Sequence, residues 1–301
     1  MATINRLAEL LDLENLPEHY HVILLSTLAC FLIQSLSHRL VSPALFPRHY
    51  SQLSPFTKFN WDTRVVAWVH AFYATSIAVY VLRSPAQFSP IHQDKLFGYH
   101  PGAMNYLSIS TGYFLWDIIV SLKLTVNRGG IGFLLHATSC FVAFLYSIKP
   151  FCGYFGFAFL LWEASTIFLN PHWFFDKIGM SGSKAQLYNG VALLLVFFFS
   201  RLVLGNYTSY QLFALSFQDG VSQKAGTRLL NTIRILDLLL SVFLSTILTI
   251  ILICQLVVTI NFGWAFGKKW FYQMISSVLK RFSNPSTTKP GSAKPNERKS
   301  E

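Results

Sequence analysis

Long apolar runs separated by short polar links constrain this chain more than any other feature. A helix needs about 20 mostly apolar residues to cross the hydrocarbon core of a bilayer, where no water can satisfy an open backbone group. Seven runs meet that need, at about 21–41, 65–82, 106–124, 131–148, 151–169, 187–204 and 235–262, the sixth continuing unevenly towards Phe217. The expected fold class is therefore all-α, a multipass membrane helix bundle of about seven transmembrane helices. The two-residue link Lys149-Pro150 predicts that the fourth and fifth helices form an adjacent antiparallel pair. Composition agrees, since only 12% of residues are charged and 52% are hydrophobic. That balance excludes a disordered chain, and it exceeds what one soluble core could bury. Residues 1–20 hold Arg6 against four carboxylates, without the basic start of a signal peptide, so the first run reads as a retained anchor.

The net charge of +11 is unevenly placed, with eight of the 24 Lys and Arg after Gly267. It belongs to a tail and does not form a nucleic-acid-binding face, so no nucleic-acid partner is expected. If the C-terminus is cytosolic, sixteen Lys and Arg lie on the cytosolic side and seven opposite, with Arg201 inside the membrane. Half of the sixteen come from the tail, so the tail carries the orientation. Residues 273–301 read as a disordered basic cytosolic tail, ending in Arg298-Lys299-Ser300-Glu301. That ending resembles a dilysine retrieval signal of endoplasmic-reticulum membrane proteins. It also fits a solvated basic tail that meets anionic headgroups. Cys30, Cys140, Cys152 and Cys254 lack CxxC spacing and sit in or beside apolar runs, as buried free thiols do. No metal site is expected from them.

Five ionisable residues fall at membrane depth, where each is expensive and a functional candidate: His70, Asp117, His136, Glu163 and Arg201. Helical spacing puts Ser110, Tyr113, Asp117 and Ser121 on one face. It does the same for His136, Ser139, Cys140, Ala143 and Ser147, and for Gly156, Phe159, Glu163, Thr166 and Asn170. Three neighbouring helices with one polar or small stripe each are expected to turn them towards a common interior, with Arg201 neutralising Asp117 or Glu163. Such residues also serve purely as interhelical glue. On the residues alone a transporter, a lipid-modifying enzyme and a lipid-binding scaffold remain open.

Four motifs add a resemblance. They are Phe59-Asn60-Trp61-Asp62-Thr63-Arg64-Val65-Val66 with His70-Ala71, Gly112-Tyr113-Phe114-Leu115-Trp116-Asp117, Leu135-His136, and Trp162-Glu163-Ala164-Ser165-Thr166-Ile167-Phe168-Leu169-Asn170 with His172-Trp173. In order and spacing they resemble the TLC domain, which occurs in translocation-associated membrane proteins, ceramide synthases and small homologues. The last motif looks most like the small non-synthase members of the transmembrane protein 56 type. The resemblance spans about residues 59–269 and implies an N-terminal segment with the first helix at 1–58, a TLC domain of six core helices at 59–272, and the tail.

The family's synthase motif has a His-His pair and two Asp residues. Laid on this chain with the pair at Leu135 and His136, it puts Glu163 at the first Asp, Ser165 on its serine and Thr166 at the second Asp. One His of two survives, one carboxylate is lengthened and the other is lost, and these departures fall on the acid–base residues. The leading expectation is an endoplasmic-reticulum protein that binds, senses or regulates membrane lipid composition. Its interior polar site would comprise His70, Asp117, His136, Glu163, Ser165 and Arg201. The alternatives are a ceramide-synthase-like N-acyltransferase and a trafficking or translocon-associated adaptor. As an acyltransferase it would use His136 and Glu163 as catalytic residues, pair Asp117 with Arg201, and take acyl-coenzyme A as substrate. No cofactor is implied. The expected partners are membrane lipids, and homo- or hetero-oligomers in the membrane are compatible with the apolar spans.

Overall fold

A computed structural model describes residues 2–128, residues 131–216 and Ser276. The expected seventh span at 235–262, the basic tail with Arg298-Lys299, Cys254 and the Gly129-Gly130 pair lie outside the described residues. Every described element is a helix. The chain starts with α1 (Ala2–Leu10) and α2 (Leu16–Leu36), which runs through a π-helical turn, Ser37–Val41, into α3 (Ser42–Leu45). A short α4 (Pro47–Gln52) precedes α5 (Pro55–Arg83), α6 (Ser89–Gln93), α7 (Pro101–Arg128) and α8 (Ile131–Ile148). Then come α9 (Gly153–Leu160), a 3-10 segment (Leu161–Ser165) and α10 (Thr166–Lys177). Last are α11 (Lys184–Phe197), a π-helical stretch (Phe198–Val203) and α12 (Leu204–Ser216).

The starts follow from local chemistry. Proline opens α4, α5 and α7, where its missing N–H would be unpaired in any residue. Ser54 caps α5 by accepting from the Thr57 N–H at 3.3 Å, and Ser183 caps α11 by accepting from Gln186 at 3.2 Å. Five helical runs are long and apolar enough to cross a membrane: Leu16–Leu45, Pro55–Arg83, Pro101–Val126, Ile131–Ile148 and Lys184–Leu212. The chain is a multipass α-helical membrane bundle.

The fifth expected span, 151–169, is not one helix. It is broken into α9, the 3-10 segment and α10, and α9 lies mainly against α5 and only secondarily against α8. The neighbour that covers α8 is α7. A tight link fixes where the next helix starts but not which face it seeks.

α7 is the central helix, packed between α2 and α8. Gly112 permits the close approach of α2, because a Cβ there would run into the Ile23 carbonyl oxygen and the Ser26 side chain. Across the same contact Ser26 Oγ donates to the Ile109 carbonyl at 2.6 Å and Thr27 Oγ1 to the Gly112 carbonyl at 2.8 Å. Small residues with hydroxyl bonds are how helices associate where lipid removes the hydrophobic driving force. Val66, Ala74, Ala78 and Val81 of α5 meet Ala103, Met104, Leu107, Phe114 and Trp116 of α7 in the main apolar core. Leu24, Leu25, Leu28 and Leu32 of α2 point outward, as lipid-facing residues must.

The bundle has two distinct ends. At one, α1 and Leu13 pack near Ile148, Asp12 pairs with the buried Lys149, and Tyr99 donates to Glu18 at 3.2 Å. At the other, Trp61 at the start of α5 packs edge-on to Tyr50 and against Trp173 and Phe174 of α10.

Candidate functional site

The polar interior is assembled by three main pieces. From α5 comes His70, which is buried and stacked flat on Tyr113 of α7, with ring centroids 3.6 Å apart and planes 6° from parallel. Its Nε2 lies 3.2 Å from Ser110 Oγ, and its Nδ1 is buried without a hydrogen-bond partner. One turn along α7 from Tyr113 is Asp117, which accepts from Ser121 Oγ at 3.3 Å.

The other two pieces are the helix interruptions. Glu163 and Ser165 stand in the 3-10 segment, and Arg201 stands in the π-helical stretch that packs on it. Such irregular turns inside long helices frequently mark functional positions. Arg201 Nη2 lies 3.9 Å from Glu163 Oε1, and Arg201 Nε donates to Ser165 Oγ at 3.1 Å. Ser165 Oγ in turn donates to the Trp162 carbonyl at 3.1 Å. The guanidinium is thus held by a carboxylate and a hydroxyl on the facing segment. Its partner is Glu163; Asp117, the partner assigned in the acyltransferase arrangement, is occupied by Ser121 instead.

Direct contacts join Arg201 to Glu163 and Ser165, whereas His70 meets Ser110 and Tyr113 and Asp117 meets Ser121 on α7. The six residues singled out from sequence do not share one exposure. His70 and Ser165 are buried, whereas His136 is exposed on α8. The α8 stripe turns inward only in part: Ser147 is buried and Cys140 half-buried, while His136, Ser139 and Ala143 are accessible, and the rest of the buried face is Ala137, Phe144 and Ile148. The described contact of His136 is Cys140 Sγ, 3.7–3.8 Å from the ring nitrogens, and no hydrogen bond joins it to Glu163 among the described residues. Chemically the group offers one ion pair, a buried imidazole at His70 and an exposed one at His136. Among the described residues no group of three or more His, Cys, Asp or Glu could hold a metal ion.

A second constellation escaped the sequence reading. Asp62 is buried at the start of α5 and accepts from Ser37 Oγ at 2.7 Å, His38 Nδ1 at 2.9 Å and Tyr50 OH at 2.7 Å. Ser37 and His38 belong to the π-helical turn after α2, so this third irregular turn supplies two of the donors to a buried charge on α5. Burial, the hydrogen bond to Asp62 and the charge on Asp62 together push ionisation of the Tyr50 hydroxyl well above its ordinary range. The only signal was a carboxylate just before the apolar run at 65–82; its donors lie 12 to 25 positions away and no pattern connects them.

The model of the TLC domain matches residues 60–275, more than two thirds of the chain. The chain belongs to the TLC domain family. It is similar to an uncharacterized TLC domain-containing protein of Schizosaccharomyces pombe, 37% identical over 198 residues that make up 66% of each chain. It is similar to topoisomerase I damage affected protein 4 of Saccharomyces cerevisiae, 27% identical over 205 residues, 65% of this chain and 70% of that one. It is also similar to TLC domain-containing protein 4-A of Xenopus laevis, 31% identical over 186 residues, 60% of this chain and 70% of that one. No solved structure matches. The matched region of this TLC domain protein contains Asp62, the polar recess and the contacts between α5, α7 and the 3-10 segment.

Proposed function

We propose that this TLC domain protein binds and regulates membrane lipid in the endoplasmic reticulum, its C-terminus cytosolic. A lipid headgroup would enter sideways beside α8 and meet His136, Glu163 and Arg201. His70, Asp117 and Ser165 would form the floor and support of that recess. The reading is carried by one observation: the Glu163–Arg201 pair, at 3.9 Å, belongs to two facing helix interruptions within the bundle. A pair this long is loose enough for a polar headgroup to insert its own charges between the two. An acyltransferase needs Glu163 to orient or deprotonate His136. Its engagement with Arg201 and the lack of a bond to His136 favour binding over catalysis.

The test has two arms. Lipid composition is measured in cells lacking the protein and in the same cells carrying the wild type, Glu163→Gln or His136→Ala. Purified protein is also incubated with acyl-coenzyme A and a sphingoid base. We expect altered lipid composition, rescue by wild type but not by Glu163→Gln, and no turnover. Turnover that vanishes in both variants would replace this reading with an acyltransferase. Unchanged lipid composition together with no turnover would refute both.

A further inference from the structure

We propose that the contact between α5 and α10 is a binding site for one phosphate group, held by Arg64, Lys177, Asn170 and Trp173. It stands apart from the recess around Glu163, and it holds whether or not that recess takes lipid. Asn170 lies seven residues beyond Glu163, about 10 Å along a helix axis, towards the end of the bundle marked by Trp61 and Trp173.

Arg64 and Lys177 both lie over the Trp173 ring, 4.7 and 5.2 Å from its centroid. Two cations on one indole repel each other, and neither makes an ion pair among the described residues. Asp62, two residues before Arg64, accepts from Ser37, His38 and Tyr50. An incompletely compensated guanidinium at this depth calls for an anion.

The hydrogen-bond inventory points the same way. Arg64 Nη1 donates to the neutral Asn170 Oδ1 at 3.3 Å, a long bond. Arg64 Nε and Asn170 Nδ2, on the same two side chains, are buried with no partner at all. Unmade bonds on a buried charged group are unfavourable, and here two donors of one bonded pair are unmade together. A phosphate supplies several anionic oxygens in the geometry that a guanidinium fork, an amide N–H and an ammonium can share. Because both donors are closed off from solvent, capture requires Arg64 to swing from Asn170, trading a neutral acceptor for a charged one. Trp61, Trp68 and Trp173 cluster around this end of α5 and α10, and tryptophans gather at the headgroup level of bilayers. A phosphate at that level comes either from a phospholipid headgroup or from a soluble phosphorylated ligand such as coenzyme A.

The experiment uses the full chain in maltoside detergent, which carries no phosphate. Thermal unfolding is followed against increasing dihexanoyl phosphatidic acid, coenzyme A or inorganic phosphate. We expect a saturable rise in melting temperature for the wild type, weakest with inorganic phosphate. Arg64→Gln and Lys177→Gln should each shift the half-saturating concentration at least tenfold upward. Lys184→Gln, which removes an exposed charge at the start of α11, should not. Saturation by phosphatidic acid alone assigns the site to a headgroup, by coenzyme A alone to a soluble ligand, and by both to the phosphate group itself. No saturable rise with any of the three, or the same response in Arg64→Gln and Lys177→Gln as in wild type, would overturn the proposal.

Discussion

Removing the carboxylate of Asp62 should be one of the most damaging single changes in the bundle, although it touches no part of the polar recess. Asp62 is 1% exposed and takes hydrogen bonds from Ser37, Tyr50 and His38 at 2.7, 2.7 and 2.9 Å. Bonds to a charged acceptor contribute about 1.5–3 kcal/mol each, so three give a gross total of roughly 5–9 kcal/mol. Desolvating a buried carboxylate offsets several kcal/mol of that, leaving a net loss of about 3–4 kcal/mol for Asp62→Ala. Asp62→Asn keeps the shape and one acceptor but turns an NH2 towards a donor, and should cost about half as much. With about 2–4 °C per kcal/mol for a chain of this size, the melting temperature should fall by about 6–15 °C in Asp62→Ala. Thermal unfolding in detergent, followed by circular dichroism, reads this directly. Tyr50→Phe and His38→Gln should lose less, and pairing either with Asp62→Ala should be clearly non-additive. An Asp62→Ala protein that melts within 2 °C of wild type would refute the idea that this carboxylate organises the π-helical turn.

Other changes give independent checks. Arg201→Leu leaves Glu163 without its cation and should lower stability by about 1–3 kcal/mol, at the weak end for a buried pair because the side chains are 29% and 15% exposed. Arg201→Lys should recover part of that loss in the same melting assay. Gly112→Leu should prise α2 from α7 and destabilise by about 1–3 kcal/mol through overpacking, read as faster proteolysis between the two helices. Tyr50 ionises only above its ordinary range, so its contribution is intact below pH about 10 and lost as pH rises through its folded-state value. Melting temperatures measured above pH 10 should therefore fall more steeply in wild type than in Tyr50→Phe.

The spans were legible because their signal is length and apolarity, which no tertiary contact can hide. The fourth, 131–148, matches α8 residue for residue, and the second and third helices merely extend further than the apolar runs. The break at Leu161–Ser165 was not legible. Those five residues include no Pro or Gly, and their 3-10 geometry accompanies packing on α5 and on the π-helical stretch. Periodicity picked out the α7 stripe, which is largely buried, because α7 has neighbours on both sides. It misjudged the α8 stripe because a stripe of polar residues does not say which flank of a helix its neighbour covers. The choice of Glu163 over Asp117 as partner for Arg201 depends on which segments face each other, and spacing within one helix carries no such information.

The π-helical stretch at Phe198–Val203 has a consequence for how this recess can be altered. A π turn accommodates one more residue than the α turn it interrupts. Deleting a single residue there would let α11 and α12 join as one regular α-helix. The bundle would keep its apolar faces, but the residue at the site of Arg201 would rotate by roughly a quarter turn or more relative to Glu163. Loss of a single codon thus separates the two charges without removing either, and leaves Glu163 as unpaired as Arg201→Leu does.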